Sequence, residues 1–315
     1  MFETFIATLN PMITMFLFVF IGFAVSKCNV TPKNTGIVLS KVENYIFMPA
    51  QVFVTFMTYC TVESLAANYR FTLFSILCIG ISLLMGYPLS YLLDREGKNR
   101  GIYRYALVFA NYGYLGNSVV PQILGQQYLY PYLLFTLPIN MMAYLWGIGQ
   151  MMPAGAAKIN PLKRLLNPVI IALFSGAIVG LTGAGKLLPA FVVGTLKDLS
   201  ACMGPVAMIL TGFIIGGYDW KELLQDRKVY IMTFLRLTVL PSVLLAVGYL
   251  LGADHAVLTM ILIAFGAALG MNTVIFTAAY GGDTKPGASM AMVSHVGAVL
   301  TVPLMYALLM QITGG

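Results

Sequence analysis

Charged residues are scarce in this chain of 315 residues, since Asp, Glu, Lys and Arg together make up only 9% of it. An average soluble domain has about 25%. So few charges cannot cover the surface of a water-soluble protein of this length, which argues against a soluble enzyme and a nucleic-acid-binding module. Hydrophobic residues make up 59% of the chain, and the mean hydropathy is +0.85. The composition therefore predicts a protein of the lipid bilayer, without a nucleic-acid partner.

The sequence also has no recognisable catalytic, nucleotide-binding or metal-binding motif. It contains no HExxH, GxSxG or Walker A pattern, and its histidines and cysteines do not stand at ligand spacing. We therefore expect no enzyme, no metal and no cofactor. The cysteines form no CxxC pair and lie in or beside apolar runs, which favours free thiols over a disulfide. They are Cys28, Cys60, Cys78 and Cys202.

Long apolar segments dominate the rest of the chain. A helix needs about 20 residues to cross a hydrocarbon core about 30 Å thick, and on this basis we predict ten membrane spans. The first span follows no basic residue and precedes no cleavage site, so we interpret it as retained rather than as a signal peptide. The predicted spans cover residues 5–25, 35–58, 71–93, 103–124, 130–151, 168–182, 189–216, 229–251, 257–280 and 287–311.

Basic residues are distributed unevenly between the loops that join these spans. The loops on one side carry thirteen Lys and Arg residues, and the opposite loops carry two, Arg70 and Lys186. Because short basic loops remain in the cytoplasm, we expect both termini to lie outside. The expected location is the plasma membrane, which is the inner membrane of a bacterium.

One long connection, residues 152–167, divides the chain into two nearly equal halves, residues 1–151 and 168–315. Each half contains five predicted spans. An odd number of spans places two homologous halves upside down relative to each other, so the sequence predicts a pair of inverted repeats.

Charged residues inside the spans support this repeat and are candidates for function. Lys41 in the second span and Lys197 in the seventh each stand eight residues before a proline. Each has a carboxylate nearby, Glu43 and Asp198 respectively. In a structural role, these groups pair or reach the membrane interface and hold a helix in register. In a functional role, a carboxylate exchanges a proton or forms a gating pair. Arg236, deeper in the eighth span, can bind an anion or contact free backbone carbonyls.

Two other polar residues lie in apolar runs. His295, in the last span, has a side chain suited to proton coupling, and the alternative is a structural hydrogen bond to a neighbouring helix. Asn140, in the fifth span, presents the same choice between function and structure.

The fourth and ninth predicted spans contain residues that interrupt a helix. Two interrupted segments at matching positions of two halves indicate the binding site of a transporter. A helix that restarts there directs free N–H groups toward an anion. The alternative is that the glycines only allow close helix packing. The residues concerned are Asn111, Gly113, Gly116, Asn117, Ser118 and Pro121 in the fourth span, and Gly266, Gly270, Asn272 and Thr273 in the ninth.

Four segments of the chain resemble the auxin efflux carrier family of bacterial and plant membrane proteins. They are NYGYLG at 111–116, LNPVIIALFSGAIVG near Asn167, RLTVLP around Arg236, and NTVIFTAAYGGD from Asn272. The resemblance implies an all-α polytopic fold of ten spans in two inverted five-helix repeats, with broken fourth and ninth helices that cross near the midplane. Bile-acid and sodium/proton carriers have similar folds.

The resemblance further implies a carrier of small organic anions, such as auxin, malate or malonate, that alternates access around this crossing. Family members usually have proline where Ser118 and Ala268 stand here. The sequence leaves proton or sodium coupling and a homodimer open. The predicted substrate site comprises Asn111, Tyr112, Gly113, Gly116, Asn117, Ser118, Asn140, Asn272 and Thr273, and the coupling or gating candidates are Lys41, Glu43, Asp198, Arg236 and His295.

Other classes of membrane protein fit the sequence less well. An even number of spans and twin interrupted helices argue against a seven-span receptor, and saturation of the flux would separate a carrier from a channel. A sodium/proton exchanger of similar fold needs carboxylates at the crossing. This chain has amides and hydroxyls there, which suit a carboxylate ligand better.

Overall fold

The computed structural model of the chain describes residues 2–32, 34–152, 166–270, 272–279 and 283–313. Over these ranges the regular structure is helical, apart from one isolated β-bridge. Among the described residues, six helices are long and apolar enough to cross a membrane, which is consistent with the predicted all-α polytopic membrane protein. These helices are Thr8–Lys27, Val62–Leu93, Gln126–Met151, Ala190–Gly216, Arg227–Leu250 and Lys285–Thr313.

We number the α-helices along the chain. In the first half they are α1 (Phe2–Lys27), α2 (Thr35–Val42), α3 (Met48–Tyr59), α4 (Val62–Leu93), α5 (Arg100–Val108), α6 (Asn117–Leu124), α7 (Leu129–Met142) and α8 (Ile148–Met151). In the second half they are α9 (Pro168–Thr182), α10 (Ala190–Gly216), α11 (Trp220–Leu223), α12 (Arg227–Phe234), α13 (Leu240–Leu250), α14 (His255–Gly266), α15 (Asn272–Ala279) and α16 (Lys285–Thr313).

Shorter helical segments complete several of these elements. Short 3₁₀ turns occupy Gln126–Tyr128 and Ala184–Leu187. The π-helical segments are Glu43–Phe47 between α2 and α3, Tyr112–Gly116 before α6, Ala143–Gly147 between α7 and α8, and Leu235–Val239 between α12 and α13.

The six long helices correspond to predicted spans one, three, five, seven, eight and ten. The four remaining spans are shorter, bent or interrupted in the structure. The second is α2, its π-helical segment and α3 in succession, and the sixth is α9. The fourth consists of α5 and α6, and the ninth of α14 and α15. The total of ten spans, and the repeat that relates the halves, stay predictions. Most of the predicted linker, residues 153–165, lies outside the described residues.

The third span begins nine residues earlier than predicted, at Val62. A reciprocal capping box starts it: the Ser64 backbone N–H donates to the Thr61 hydroxyl oxygen (3.1 Å), and the Thr61 N–H donates to the Ser64 hydroxyl oxygen (2.8 Å). The prediction that Arg70 lies in a loop is therefore wrong. Arg70 lies inside α4, on a turn of helix that extends the span toward one surface.

Small residues bring helices of the two halves into close contact. A Cβ added to Gly22 of α1 or Gly212 of α10 would overlap a carbonyl oxygen of the other helix. On α9, a Cβ at Gly176 would lie 2.7 Å from the Phe53 carbonyl oxygen of α3. Glycine allows such an approach of two backbones. Both contacts join the first span of one half to the second span of the other, which is the pairing that two related halves would produce.

The interrupted spans lie at the centre of the molecule. Residues 105–112 and 257–270 are buried along their whole length. A broken backbone at membrane depth is tolerated only where protein or a water-filled cavity surrounds it. The packing of the first, third and other long helices around these segments provides that protection.

Candidate functional site

Both predicted helix interruptions are present. Helix α5 ends at Val108, and helical structure resumes at Tyr112. Helix α14 ends at Gly266, and α15 begins at Asn272. Each break leaves backbone N–H and C=O groups without partners in their own helix, so these groups must find partners elsewhere.

The two breaks supply partners to each other. Ala110 and Leu269 form an isolated antiparallel β-bridge. The backbone N–H of Asn111 donates to the Ala268 carbonyl oxygen at 2.8 Å. A Cβ at Gly270 would lie 2.9 Å from the Ala110 carbonyl oxygen, so this close approach favours glycine. The halves of the chain therefore meet backbone to backbone at the crossing.

A small cavity adjoins this crossing, and we call it the central cavity. Its volume is about 30 Å³, which accommodates about two water molecules. No Asp, Glu, Lys or Arg is among its described lining residues. Its polar side chains are amides and phenols, namely Asn44, Asn111, Tyr112, Tyr114, Asn140, Tyr144 and Asn272.

Hydrogen bonds fix several of these side chains. The Tyr112 hydroxyl donates to the Asn140 Oδ1 at 3.1 Å, and the Asn140 Nδ2 donates to the Thr136 carbonyl at 3.1 Å. The Asn44 Nδ2 lies 2.9 Å from the Tyr114 hydroxyl oxygen, to which it donates. These bonds connect three segments around the cavity, namely the π-helical segments after Val42 and before α6, and helix α7. The cavity is thus a preformed set of donors and acceptors without net charge.

A profile of the membrane transport protein family matches residues 7–306. The chain belongs to this family. The match confirms the resemblance to the auxin efflux carriers that the sequence motifs indicated. Among curated proteins, no sequence matches the chain. Members of this family are membrane transporters rather than enzymes.

His295 of the transporter contacts the crossing directly. Its Nδ1 lies 2.8 Å from the Ala291 carbonyl oxygen, and its Nε2 lies 3.4 Å from the Asn111 Nδ2. A carbonyl can only accept, so the neutral imidazole carries its proton on Nδ1 and accepts through Nε2. The other side chains at the small cavity beside His295 are all apolar, namely Met12, Met15, Phe16, Val19, Leu115, Met208 and Val299. The structure therefore brings together one predicted coupling residue and one predicted substrate residue.

Arg236 holds the end of a broken helix. It is 0% exposed, and its Nη1 donates to the carbonyl oxygen of Leu107 in the last turn of α5, at 2.9 Å. Its guanidinium carbon lies 6.0 Å from the centre of the Phe265 ring. A cation at a helix C-terminus is favourable. Of the two interpretations of Arg236, the structure shows the contact to a backbone carbonyl, and Arg236 does not line the central cavity.

The other charged candidates do not pair as an acid and a base. Within the described ranges the one salt bridge joins Lys285 to Glu222, so Lys41 is not paired with Glu43, nor Lys197 with Asp198. The Glu43 side chain is 0% exposed, and neither carboxylate oxygen has a hydrogen-bond partner.

Lys41, Lys197 and Asp198 are exposed. Each lysine lines a separate cavity, which we name the Lys41 cavity and the Lys197 cavity.

The predicted substrate residues fall into three groups. Asn111, Tyr112, Gly113, Asn140 and Asn272 line the central cavity.

Asn117 and Ser118 line the Lys197 cavity instead, because they lie beyond the first helical turn after the break. Gly116 packs against the Tyr132 hydroxyl. The Thr273 hydroxyl donates to the Gly270 carbonyl at 2.8 Å. Gly116 and Thr273 line neither of these two cavities and support the backbone.

Sequence reasoning missed several polar residues of these cavities, among them Asn44, Gln51, Tyr114 and Tyr144. Asn44 and Gln51 had a detectable signal, since both are amides within an apolar span. The tyrosines had none, because aromatic residues are common throughout the chain.

Proposed function

We propose that this membrane transport protein is a secondary carrier that binds the carboxylate of a small organic anion at the central cavity. The observation that carries the proposal is the meeting of two broken helices, one from each half, beside a cavity lined by Asn111 and Asn272. The proposal retains ten spans in two inverted repeats, with both termini outside the plasma membrane.

The chemistry of the lining favours an anion. Amide N–H and phenol O–H groups donate hydrogen bonds to a carboxylate, and bonds to a charged acceptor are the stronger kind. Helical structure restarts at Tyr112 and at Asn272, so the positive ends of two helix dipoles point toward the crossing. A divalent cation usually takes at least one carboxylate ligand, and the described lining has none.

The size of the cavity indicates a conformational step. A volume of about 30 Å³ does not hold a whole organic acid. The cavity must therefore widen when the substrate binds, and widening toward one surface at a time is the essence of alternating access.

His295 supplies a route for proton coupling. The neutral ring accepts from the Asn111 Nδ2, which directs that amide nitrogen away from an anion in the cavity. A protonated ring donates from Nε2, so the Asn111 amide must turn to present its oxygen to His295 and its N–H groups to the cavity. Proton binding and anion binding then favour each other.

The test is the binding and transport of carboxylates by the purified protein. A panel of mono- and dicarboxylates should raise the melting temperature selectively, and the acid that does so should accumulate in proteoliposomes without ATP. Its initial rate should saturate with concentration. Flux that fails to saturate would indicate a channel, and a panel that neither binds nor moves would refute an organic anion carrier.

A further inference from the structure

One face of the bent second span carries a line of polar residues from end to end. Ser40, Asn44, Gln51, Thr55 and Thr58 recur three, four or seven positions apart, which places them on one side of a helix. Residues of this face line all three cavities: Ser40 the Lys41 cavity, Asn44 the central cavity, and the other three the Lys197 cavity. The face therefore runs past all three cavities in order.

The Lys197 cavity is the largest of the three, with a volume of about 590 Å³. Helices α3, α6 and α10 form most of its walls. Lys197 is the one charged side chain among its described lining residues, and the polar groups around it include Gln51, Asn117, Ser118 and Ser200. A cation in a concave site whose described lining has no carboxylate produces a positive potential that concentrates anions.

A thin barrier separates this cavity from the central cavity. The Asn117 Nδ2 donates to the Gln51 Oε1 at 3.1 Å, and these side chains are only 4% and 7% exposed. Met48 and Tyr114, about one helical turn before each of them, line the central cavity. One hydrogen-bonded pair of amides on two helices therefore lies between the residues that line the two cavities.

The Lys41 cavity has a corresponding construction at the other end of α10. Its volume is about 480 Å³, and Lys41, the C-terminal turn of α10 and α15 line it. Phe213 of this cavity stands sixteen residues after Lys197 on α10, or about 24 Å along the helix axis. Lys41 is again the one charged residue of the described lining. The two large cavities thus use the second and seventh spans with their roles exchanged.

We propose that the Lys197 cavity is an anion-binding antechamber, from which a carboxylate reaches the central cavity when the Gln51–Asn117 hydrogen bond opens. The Lys41 cavity is its counterpart on the opposite side. The passage of a carboxylate from this cavity to the central cavity rests on the proposed function. The attraction of anions by Lys197 does not, because it is a property of the Lys197 cavity itself.

The charge of the antechamber is measured first, without any transport. Ser200→Cys, in a background without native cysteines, places a thiol in the cavity for reaction with an anionic and a cationic methanethiosulfonate. Adding Lys197→Gln should lower the ratio of the anionic to the cationic reagent's reaction rate by at least about fivefold, the factor for ~1 kcal/mol of Coulomb energy. Lys197→Arg keeps the charge and should preserve this ratio.

A thiol at Lys186, in an exposed turn, is the matched control, and its rate ratio should not respond to Lys197→Gln. An unchanged ratio at Ser200→Cys after Lys197→Gln would overturn the antechamber whether or not the protein carries organic anions.

Transport measured separately from each side of the membrane then tests the path of the substrate through the Lys197 cavity. In proteoliposomes of uniform orientation, Lys197→Gln should raise KM at least about fivefold for substrate added on the Lys197 side and leave the opposite KM unchanged, and Lys41→Gln should do the reverse. Equal effects from both sides, or none, would overturn the antechamber while leaving a saturable carrier intact. A charge-dependent labelling ratio in a protein that moves no carboxylate would refute the proposed function and support the cavity as an anion site.

Discussion

The amides of the central cavity differ in how firmly they are held. Asn44 and Asn140 each take part in two hydrogen bonds, to a tyrosine hydroxyl and to a backbone carbonyl. The Asn111 side chain has one contact, with His295 at 3.4 Å. An amide with a single long contact can turn at little cost, so Asn111 is better able than Asn44 or Asn140 to respond to a ligand or to a proton.

Replacing a crossing amide should weaken anion binding without loss of the fold. Asn111→Ala and Asn272→Ala each remove a donor to a charged group, which is worth ~1.5–3 kcal/mol, or roughly ten- to a hundredfold in affinity. Isothermal titration of the purified variants with the best carboxylate measures the change.

Asn68→Ala is the control for these variants. The Asn68 amide donates to the Ser64 carbonyl within α4 and lines none of the three cavities, so this variant should bind as the parent does. If both crossing variants keep the parental affinity, the anion binds elsewhere.

His295 should make anion binding dependent on pH. The protonated form presents the Asn111 donors to the cavity, so affinity should rise as pH falls through the range in which His295 itself binds a proton. One coupled proton gives up to roughly a tenfold change in affinity per pH unit. In His295→Gln the affinity should lose this slope, and titration in two buffers of different ionisation enthalpy should show proton uptake for the parent only. An equal slope in both proteins would exclude His295 as the coupling group.

Proline explains two of the π-helical segments. Pro49 and Pro241 each stand two residues after such a segment, Glu43–Phe47 and Leu235–Val239. Proline has no N–H to donate to the carbonyl four residues before it. The backbone relaxes into a wider turn around the free carbonyl, as membrane helices commonly do. The wider turns carry Glu43 and Arg236, which are thereby directed into the protein interior.

Helix α10 offers a matched pair of glycine substitutions. A Cβ at Gly212 would overlap the Val19 carbonyl oxygen of α1, whereas nothing lies within 4 Å of a Cβ at Gly194. Gly212→Ala should therefore destabilise the protein by ~1–3 kcal/mol, and Gly194→Ala should stabilise it by up to ~1 kcal/mol. Unfolding in detergent, followed by circular dichroism, provides the comparison. Equal stability of the two variants would show that α1 and α10 separate easily.

The helices around the central cavity could be predicted from the sequence better than the residues at which they begin and the residues that they contact. Clustered glycine and asparagine have few roles in an apolar helix, so the breaks before Tyr112 and Asn272 were predictable. The start of α4 was not, because a charged stretch resembles a loop until the Thr61 capping box is recognised. The contact of His295 with Asn111 spans 184 residues, and no local pattern encodes a partner at that separation. For the same reason Asn117 was assigned to the substrate site and lies instead beside Gln51.

The uneven distribution of basic residues between the loops predicts the orientation of the protein in the membrane. In cells that express a variant without native cysteines, a single cysteine at Lys186 or Arg70 should react with an impermeant thiol reagent. A single cysteine at Lys98 or Lys163 should not. Lys98 and Lys186 are exposed, so access to the reagent depends on the side of the membrane, while Lys163 lies outside the described residues. The opposite labelling pattern would reverse the orientation and exchange the sides that the Lys41 and Lys197 cavities face.

The bond from the Asn111 N–H to the Ala268 carbonyl also sets an order of events during biosynthesis. The ribosome completes Asn111 long before Ala268, so this hydrogen bond cannot form until the second half has been made. Arg236, also made later, supplies the partner of the Leu107 carbonyl. An unsatisfied backbone group in hydrocarbon costs several kcal/mol, so the first half cannot reach its final packing alone. The final packing of this transporter at the crossing is therefore a late step, because it needs hydrogen-bond partners from the second half.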